Sequence, residues 1–132
     1  MNELQEAVFA QLASFLANHD HHIVEDEHGL PRSSPYMLLM EIEGISVMFA
    51  QEREHFLIRI GSPSNLNERG FPEWPLVKLV DALNWGTLTG GLTLEDQCAL
   101  LASYFTKVRE AFTLQHYPAT NLAMHQYGMQ AN

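Results

Sequence analysis

Residues 36–61, YMLLMEIEGISVMFAQEREHFLIRIG, decide the fold of this chain. They contain three β-like runs, Tyr36–Glu43, Ile45–Gln51 and His55–Gly61, and in the second and third of these apolar side chains recur at every second position. Only a glycine and a short charged turn separate the runs. Connections this short permit hairpins and are too short for the crossover that parallel strands require. We therefore predict an antiparallel meander with one packed face and one wetter face.

Helical patterns flank the predicted sheet on both sides. Residues 2–17 place apolar side chains three and four positions apart, which is the spacing of one helix face. After the sheet, Pro75 suits the first position of a second helix, because its missing N–H costs nothing there. Residues 93–96, TLED, have the capping pattern of a further helix. These elements predict an α+β fold with an N-terminal helix, a three- to four-stranded antiparallel meander, and two C-terminal helices packed on one sheet face.

The composition indicates one globular domain. The chain has 132 residues, of which 46% are hydrophobic and 17% charged, so it can form one core and is too poor in charge for a disordered chain. No internal repeat or Gly/Ser-rich linker divides it. We predict a single domain over residues 1–112 and a loosely ordered C-terminal tail over residues 113–132. The tail is predicted because residues 111–132 contain no Asp, Glu, Lys or Arg and few strong apolar anchors.

The net charge disfavours some classes of function. Sixteen acidic residues against seven basic ones give a formal net charge of −9, and such a field repels the phosphates of nucleic acid. No apolar run approaches the ~20 residues that a membrane-spanning helix needs. The N-terminus also lacks the basic region and the apolar stretch of a secretion signal. We therefore expect a cytoplasmic protein that binds neither nucleic acid nor membrane.

Three of the seven histidines, His19, His21 and His22, surround Asp20. Imidazole suits zinc, copper and nickel, yet this cluster lies at a predicted helix exit and not on a rigid element. Neighbouring residues on a strand also point to opposite faces, so His21 and His22 are poorly placed to share one ion. We expect no metal site and leave open a pH-responsive role for these histidines.

The sequence lacks the common catalytic motifs. It contains no phosphate-binding GxxxxGK[ST] run, no HExxH and no GxSxG. The single cysteine, Cys98, lies on the apolar stripe of the last predicted helix, where a buried hydrophobic role is the common one. Glu41 and Glu43 share a strand face, which can serve acid–base chemistry in a cleft but is commoner on the wet side of a sheet. We expect a protein without catalytic residues and without a cofactor.

Acidic residues are concentrated on the predicted sheet and its turns. Eight of them lie between Asp20 and Glu54, opposed only by Arg32 and Arg53. Such a surface can serve solubility, or it can dock a basic partner in a way that salt weakens. For the face as a whole we favour docking. The predicted partner-binding residues are Glu25, Asp26, Glu27, Glu41, Glu43, Glu52 and Glu54.

The run MLLMEIEGISVMFAQEREHFLIRIGSP, followed by WPLVKLVDALNW and LTLEDQCALLASYFTKVREAF, covers most of residues 36–112. In layout, length and acidity it resembles the small α+β immunity proteins of bacterial toxin–immunity systems, including contact-dependent inhibition and other polymorphic toxin systems. The resemblance implies a non-enzymatic cytoplasmic protein that binds one cognate toxin domain, often a basic nuclease, and blocks its active site. It assigns no individual site residue.

The chain also resembles class I type III secretion chaperones, which are small acidic α+β proteins that begin with a helix and continue into antiparallel strands. That resemblance implies a dimer that wraps an extended segment of a secreted effector. Their usual order places further strands between the later helices, whereas residues 62–112 here predict loop, helix, glycine turn and helix. The immunity protein is therefore our leading hypothesis and the chaperone the alternative. The oligomeric state and the apolar residues that anchor the interface stay open.

Overall fold

A computed structural model describes residues 2–86 and 91–130 of the chain, with side chains up to residue 128. In that part of the chain the helices are α1 (Glu3–Gln11), α2 (Ala13–Ala17), α3 (Leu76–Ala82), α4 (Leu94–Ala111) and α5 (Tyr117–Gln130). The strands are β1 (His21–Ile23), β2 (Ser33–Ser34), β3 (Met37–Ile42), β4 (Ile45–Glu52), β5 (His55–Gly61) and β6 (Trp74–Pro75). The protein is therefore α+β, as the sequence predicts.

The strands form one antiparallel sheet in the order β1–β3–β4–β5–β6, and β2 pairs with the start of β3. The consecutive strands β3, β4 and β5 are the meander that the period of two predicts. Glu43 and Gly44, which join β3 to β4, both have positive φ (49° and 79°). This is the backbone of a two-residue type I′ hairpin, which matches the twist of the strands it joins.

The helices cover one face of the sheet. Alternate residues of the three long strands project into a core that α1, α3 and α4 complete, as the sequence predicts. The strand residues of this core are Leu38, Met40, Ile42, Ile45, Val47, Phe49, Phe56, Ile58 and Ile60. The helix residues packed on them include Val8, Leu12, Leu76, Leu79, Leu101, Phe105 and Val108. Full burial of one such side chain stabilises the fold by ~1.5–3 kcal/mol.

The opposite sheet face is only partly exposed to solvent, because its centre is apolar. Leu39, Met48 and Ala50 are buried there, and Phe71 from the long loop after β5 packs on them. Arg32 holds that loop in place. Its guanidinium donates to the carbonyl of Arg69 at 2.8 Å and to that of Gly70 at 3.5 Å, and it lies 4.8 Å from the centroid of the Phe71 ring.

The helices match the predicted layout only roughly. The first helix is interrupted at Leu12, where φ is −106° and ψ is 14°, and it continues as α2. In the described part of the chain three helices follow the meander, where we predict two. The third, α5, lies in the segment predicted to be a tail, and its Thr120 and Met124 are each only 3% exposed. The Thr120 hydroxyl donates to the Ala111 carbonyl at 2.8 Å, which links α5 to the last residue of α4. Loose attachment of this segment stays a prediction.

Candidate partner-binding site

The structure divides the seven predicted partner-binding residues between different parts of the sheet. Glu43 lies in the turn before β4, whereas Glu52 ends β4 and Glu54 lies in the turn after it. The eight residues of β4 rise ~3.3 Å each, so its two ends are about 23 Å apart. Glu41 lies on β3 beside the first of these turns. The acidic residues therefore do not form one continuous face.

Residues 20–26 form the outer border of the sheet next to Glu41 and Glu43. His21 and His22 are opposite Ile42 and Glu41 of β3. Beyond β1 the chain leaves β3 and pairs with its own returning arm, since the N–H of Arg32 donates to the carbonyl of Val24 at 2.7 Å. This hairpin carries the predicted residues Glu25, Asp26 and Glu27, all of which are exposed.

Asp26 has a structural role in the hairpin besides its charge. Its Oδ1 accepts from the backbone N–H of His28 at 2.8 Å and from that of Leu30 at 3.0 Å. Its own N–H donates to the Leu30 carbonyl at 2.7 Å, and Gly29 takes the positive φ of 77° that closes the turn. A side chain that bonds to the backbone in this way fixes a turn. The neighbouring carboxylates of Glu25 and Glu27 are thus presented on a closed loop.

Glu43 ties the β3–β4 turn to the chain entering β1. Its backbone N–H donates to the Asp20 carbonyl at 2.9 Å, and its Oε1 accepts from the Asp20 N–H at 3.1 Å. We call the group Asp20, Glu25, Asp26, Glu27, Glu41 and Glu43 the acidic edge. Asp20 belongs to the clustered acids of the sequence but is not one of the seven predicted residues.

Histidines, and not lysines or arginines, face the carboxylates of the acidic edge. The paired atoms are Nδ1 of His19 and Oε1 of Glu43 at 3.5 Å, Nε2 of His22 and Oε2 of Glu41 at 3.8 Å, and Nε2 of His28 and Oε1 of Glu27 at 3.5 Å. Across residues 2–86 and 91–130, no Lys or Arg forms an ion pair with this group. The formal net charge of −9 counts histidines as neutral, so these contacts leave the negative charge of the acidic edge in that count unchanged.

Glu52 and Glu54 belong to a different surface. Oε1 of Glu52 lies 3.3 Å from Nη2 of Arg59, in a hydrogen-bonded ion pair. Arg59 also donates to the Glu73 carbonyl at 3.3 Å, which holds it in this position. Glu54 is exposed in a turn beside Arg53. Basic residues therefore accompany both carboxylates, and we do not include them in the candidate site.

The three clustered histidines point in different directions. His19 packs against Phe15, with ring centroids 4.4 Å apart, and the His21 Nδ1 lies 2.8 Å from the His19 carbonyl oxygen. His22 faces Glu41 on the opposite side of the strand from His21, as alternation along a strand requires. In the described residues, no group of three or more His, Cys, Asp or Glu side chains could hold a metal ion.

Two clefts of the described residues lie away from the acidic edge. One, of about 830 Å³, lies between the long loop and the second sheet face, and its lining includes Glu52 and Arg59. Another, of about 620 Å³, is bordered by Trp74 and Tyr127. The hydrogen bond that Tyr127 donates to Asp81 at 2.8 Å raises the pKa of this tyrosine, with smaller contributions from burial and from the charge of Asp81. Neither cleft is lined by a residue of the acidic edge.

The acidic hairpin also exposes an apolar side chain that sequence reasoning missed. Leu30 is 61% exposed beside the turn that Asp26 closes. A leucine between Gly29 and Pro31, within an acidic turn, is the sequence feature that marks it. A few side chains that become buried supply most of the binding free energy at a protein interface, and an exposed leucine offers a partner apolar surface to bury. Leu30 is therefore a candidate for the apolar anchor that the sequence analysis left open.

Known proteins offer no relative for comparison. The chain matches no family model, no curated protein and no solved structure. In the described part of the chain no helix has the length and apolar character needed to cross a bilayer. The functional interpretation therefore depends on the side chains and backbone described above.

Proposed function

We propose that this chain is a non-enzymatic, cytoplasmic immunity protein that binds a basic toxin domain through the acidic edge and occludes it. The observation that carries the proposal is the group of six carboxylates on one border of the sheet, of which three contact histidines and none pairs with a Lys or Arg of the described residues. The layout resemblance to immunity proteins supports the same function. No cofactor or metal takes part in this mechanism.

Electrostatics would act at long range in such a complex. The formal net charge of −9 attracts a basic protein, and the acidic edge orients it. In a toxin that cleaves nucleic acid, the carboxylates would occupy the cationic groove that otherwise holds phosphates. The attraction speeds association and weakens as salt screens it.

Charge alone does not supply the affinity that neutralising a toxin demands. A sub-nanomolar dissociation constant corresponds to more than ~12 kcal/mol of binding free energy. A few buried apolar anchors usually contribute most of such a free energy. Leu30, at 61% exposure on the acidic hairpin, is suited to that role.

The test is a capture experiment with two variants of equal charge. Immobilised protein is exposed at low salt to an extract of the cells that express it, and retained proteins are identified by mass spectrometry. The edge variant is E25Q/E27Q/E41Q, which spares the carboxylates that bond to the backbone. The control is E54Q/E68Q/E73Q, whose residues are exposed on other surfaces. Each changes the formal charge from −9 to −9 + 3 = −6.

We expect the wild type and the control to retain the same basic protein, and the edge variant to retain at least tenfold less. Expression of the retained protein alone should then arrest growth, and co-expression of the wild-type chain should restore it. Equal capture by both variants, or a retained protein whose toxicity the chain does not relieve, would contradict the proposal. A stable dimer that copurifies with an effector carrying an extended N-terminal segment would favour the chaperone instead.

A further inference from the structure

We propose that the partner binds by adding a strand: an extended, basic segment pairs with the outer border of the sheet along His21–Glu25. This inference rests on the proposed function and names the part of the partner that the acidic edge holds. It depends on the backbone of residues 21–25, whereas the proposed function depends on the carboxylates around them. Separate experiments therefore test the two.

The hydrogen-bond pattern of β1 shows which peptide groups face outward. The Glu43 N–H donates to the Asp20 carbonyl at 2.9 Å, and the Val24 N–H donates to the Leu39 carbonyl at 3.0 Å. Both pairs share the register of β1 with β3. Bonded and non-bonded pairs alternate in an antiparallel ladder, so His22 also bonds to β3. The peptide groups of His21 and Ile23 consequently point away from the sheet.

The same alternation continues into the hairpin. The Arg32 N–H donates to the Val24 carbonyl and the Asp26 N–H to the Leu30 carbonyl, each at 2.7 Å. Glu25, between them, is opposite Pro31 at the position of this ladder that carries no hydrogen bond. The peptide group of Glu25 therefore points outward too.

His21, Ile23 and Glu25 together present their N–H and C=O groups along about 13 Å of one border, at ~3.3 Å per residue. Strand β1 is the last strand in the sheet order, and among the described residues no strand pairs with its outer side. An unpaired border of this kind is a template for an added strand, a common mode of peptide recognition.

Charge decides which strand can occupy this border. Glu25 lies on it, Asp20 and Asp26 lie at its two ends, and Glu41 lies on the neighbouring strand. In an antiparallel pairing of two copies centred on Ile23, Asp20 of each copy would be opposite Asp26 of the other, and like charges across strands are destabilising. A segment with lysine or arginine at alternate positions would instead place cations against these groups. The occupant is therefore a basic extended segment of a partner protein.

The probe for this inference is an acetylated, amidated octapeptide in which lysine and valine alternate. We expect it to bind the wild type at low salt and to protect the amide protons of His21, Ile23 and Glu25 from hydrogen exchange. The amides of His22 and Val24 already bond to β3, so the peptide should change their exchange much less. The same peptide N-methylated at its four central residues keeps its charge but loses donors, and it should bind at least tenfold more weakly.

A protein variant gives an independent measurement. H21P removes one outward N–H from an exposed residue, and H21A is the matched control that keeps it. We expect H21P to bind the unmodified octapeptide about three- to tenfold more weakly than H21A, the loss of about one hydrogen bond. Thermal unfolding of both variants shows whether the fold is kept, and the methylated peptide tests the wild type should H21P not fold.

Equal binding of the two peptides, uniform rather than alternating protection of residues 21–25, or no binding of either peptide would overturn strand addition. If the peptides bind equally and E25Q/E27Q/E41Q abolishes their binding, the acidic edge remains a docking surface without strand pairing. If that variant binds the octapeptide as the wild type does, while H21P does not, the border holds a strand but the electrostatic function is wrong.

Discussion

Arg32 is the basic residue closest in sequence to the acidic hairpin, and its contacts explain why it does not neutralise that hairpin. Its guanidinium is directed to the carbonyls of Arg69 and Gly70 and to the ring of Phe71 on the second sheet face. A cation held in this way contributes to folding, because it fixes the loop that covers Leu39 and Met48. Arg32 thus leaves the carboxylates of the acidic edge unneutralised, because its guanidinium is held on the second sheet face.

Replacing Arg32 should therefore destabilise the fold. We expect R32A to lower the free energy of unfolding by about 1–3 kcal/mol, because the carbonyls of Arg69 and Gly70 lose a charged donor and the Phe71 ring loses its cation. R109A, on the exposed surface of α4, should change it by less than ~0.5 kcal/mol. Urea unfolding of both variants measures the difference. If R32A lowers the free energy of unfolding no more than R109A does, the long loop does not need its contacts with Arg32.

Cys98 illustrates a residue whose chemistry the sequence predicts correctly. It is 1% exposed in the core, and burial, with a smaller contribution from the charge of Glu95, raises the pKa of its thiol to about 12. The thiolate is the reactive form, so the folded protein should react with iodoacetamide at pH 8 far more slowly than the urea-unfolded chain. Mass spectrometry of the alkylated product measures both rates. Comparable rates would contradict the burial of this thiol.

The raised pKa of Cys98 also has a consequence for alkaline stability. An unburied cysteine thiol loses its proton with a pKa of 9.0, whereas the folded thiol keeps its proton up to about pH 12. The contribution of Cys98 to stability is therefore complete below pH 9 and is lost progressively between pH 9 and about 12. The free energy of unfolding of the wild type should fall more steeply than that of C98A over this range. Parallel urea titrations at pH 8 and pH 10.5 test this, and parallel decreases in the two proteins would contradict it.

At the scale of the elements, two glycines offer a matched test. Gly44 has a φ of +79° in the β3–β4 turn, and a Cβ there would meet no atom within 4 Å, so G44A should cost about 1 kcal/mol through backbone conformation alone. Gly128 lies in α5 and is equally uncrowded, so G128A should stabilise the protein by up to ~1 kcal/mol through helix propensity. Thermal or urea unfolding of each variant shows whether its free energy of unfolding is lower or higher than that of the wild type. No effect of G128A would indicate that α5 does not take part in cooperative unfolding.

The elements also show what the sequence could and could not predict. The meander followed from alternation and from turns too short for any other connection, and Gly44 occupies a turn that needs positive φ. The interruption at Leu12 breaks no periodicity, because the apolar stripe continues across it. Helix α5 was missed because residues 111–132 lack charged residues and have few strong apolar anchors, whereas the structure buries Thr120 and Met124 of this helix.

The candidate site could be predicted only in part, because its geometry depends on strand pairing that the local sequence does not show. Counting acidic residues between Asp20 and Glu54 identifies the region but not the geometry, since β4 separates its two turns by about 23 Å. The pairing of Glu52 with Arg59 depends on the β4–β5 register, and the outward border depends on the hairpin at residues 24–32. Neither is visible in the local sequence.

At the scale of the whole molecule, the protein combines a buried apolar cluster on each sheet face with an asymmetric charge distribution. The helices stabilise one sheet face, and the long loop held by Arg32 covers the centre of the other. At the β1 border of the sheet, carboxylates and outward peptide groups coincide, and this is the border at which we propose that a partner binds. The same fold thus supplies both the stability and the binding surface that we propose.

The central claim is that the location of the carboxylates, and not the total charge, determines partner binding. The most direct measurement is the dissociation constant of the captured basic protein at several salt concentrations for the wild type, E25Q/E27Q/E41Q and E54Q/E68Q/E73Q. We predict that the dissociation constant of the control stays within about threefold of the wild-type value at each salt concentration. The dissociation constant of the edge variant should be at least tenfold higher than that of the wild type at low salt, and it should change less as salt is added. An equal loss of affinity in the two variants would contradict the account, because it would show that net charge alone attracts the partner.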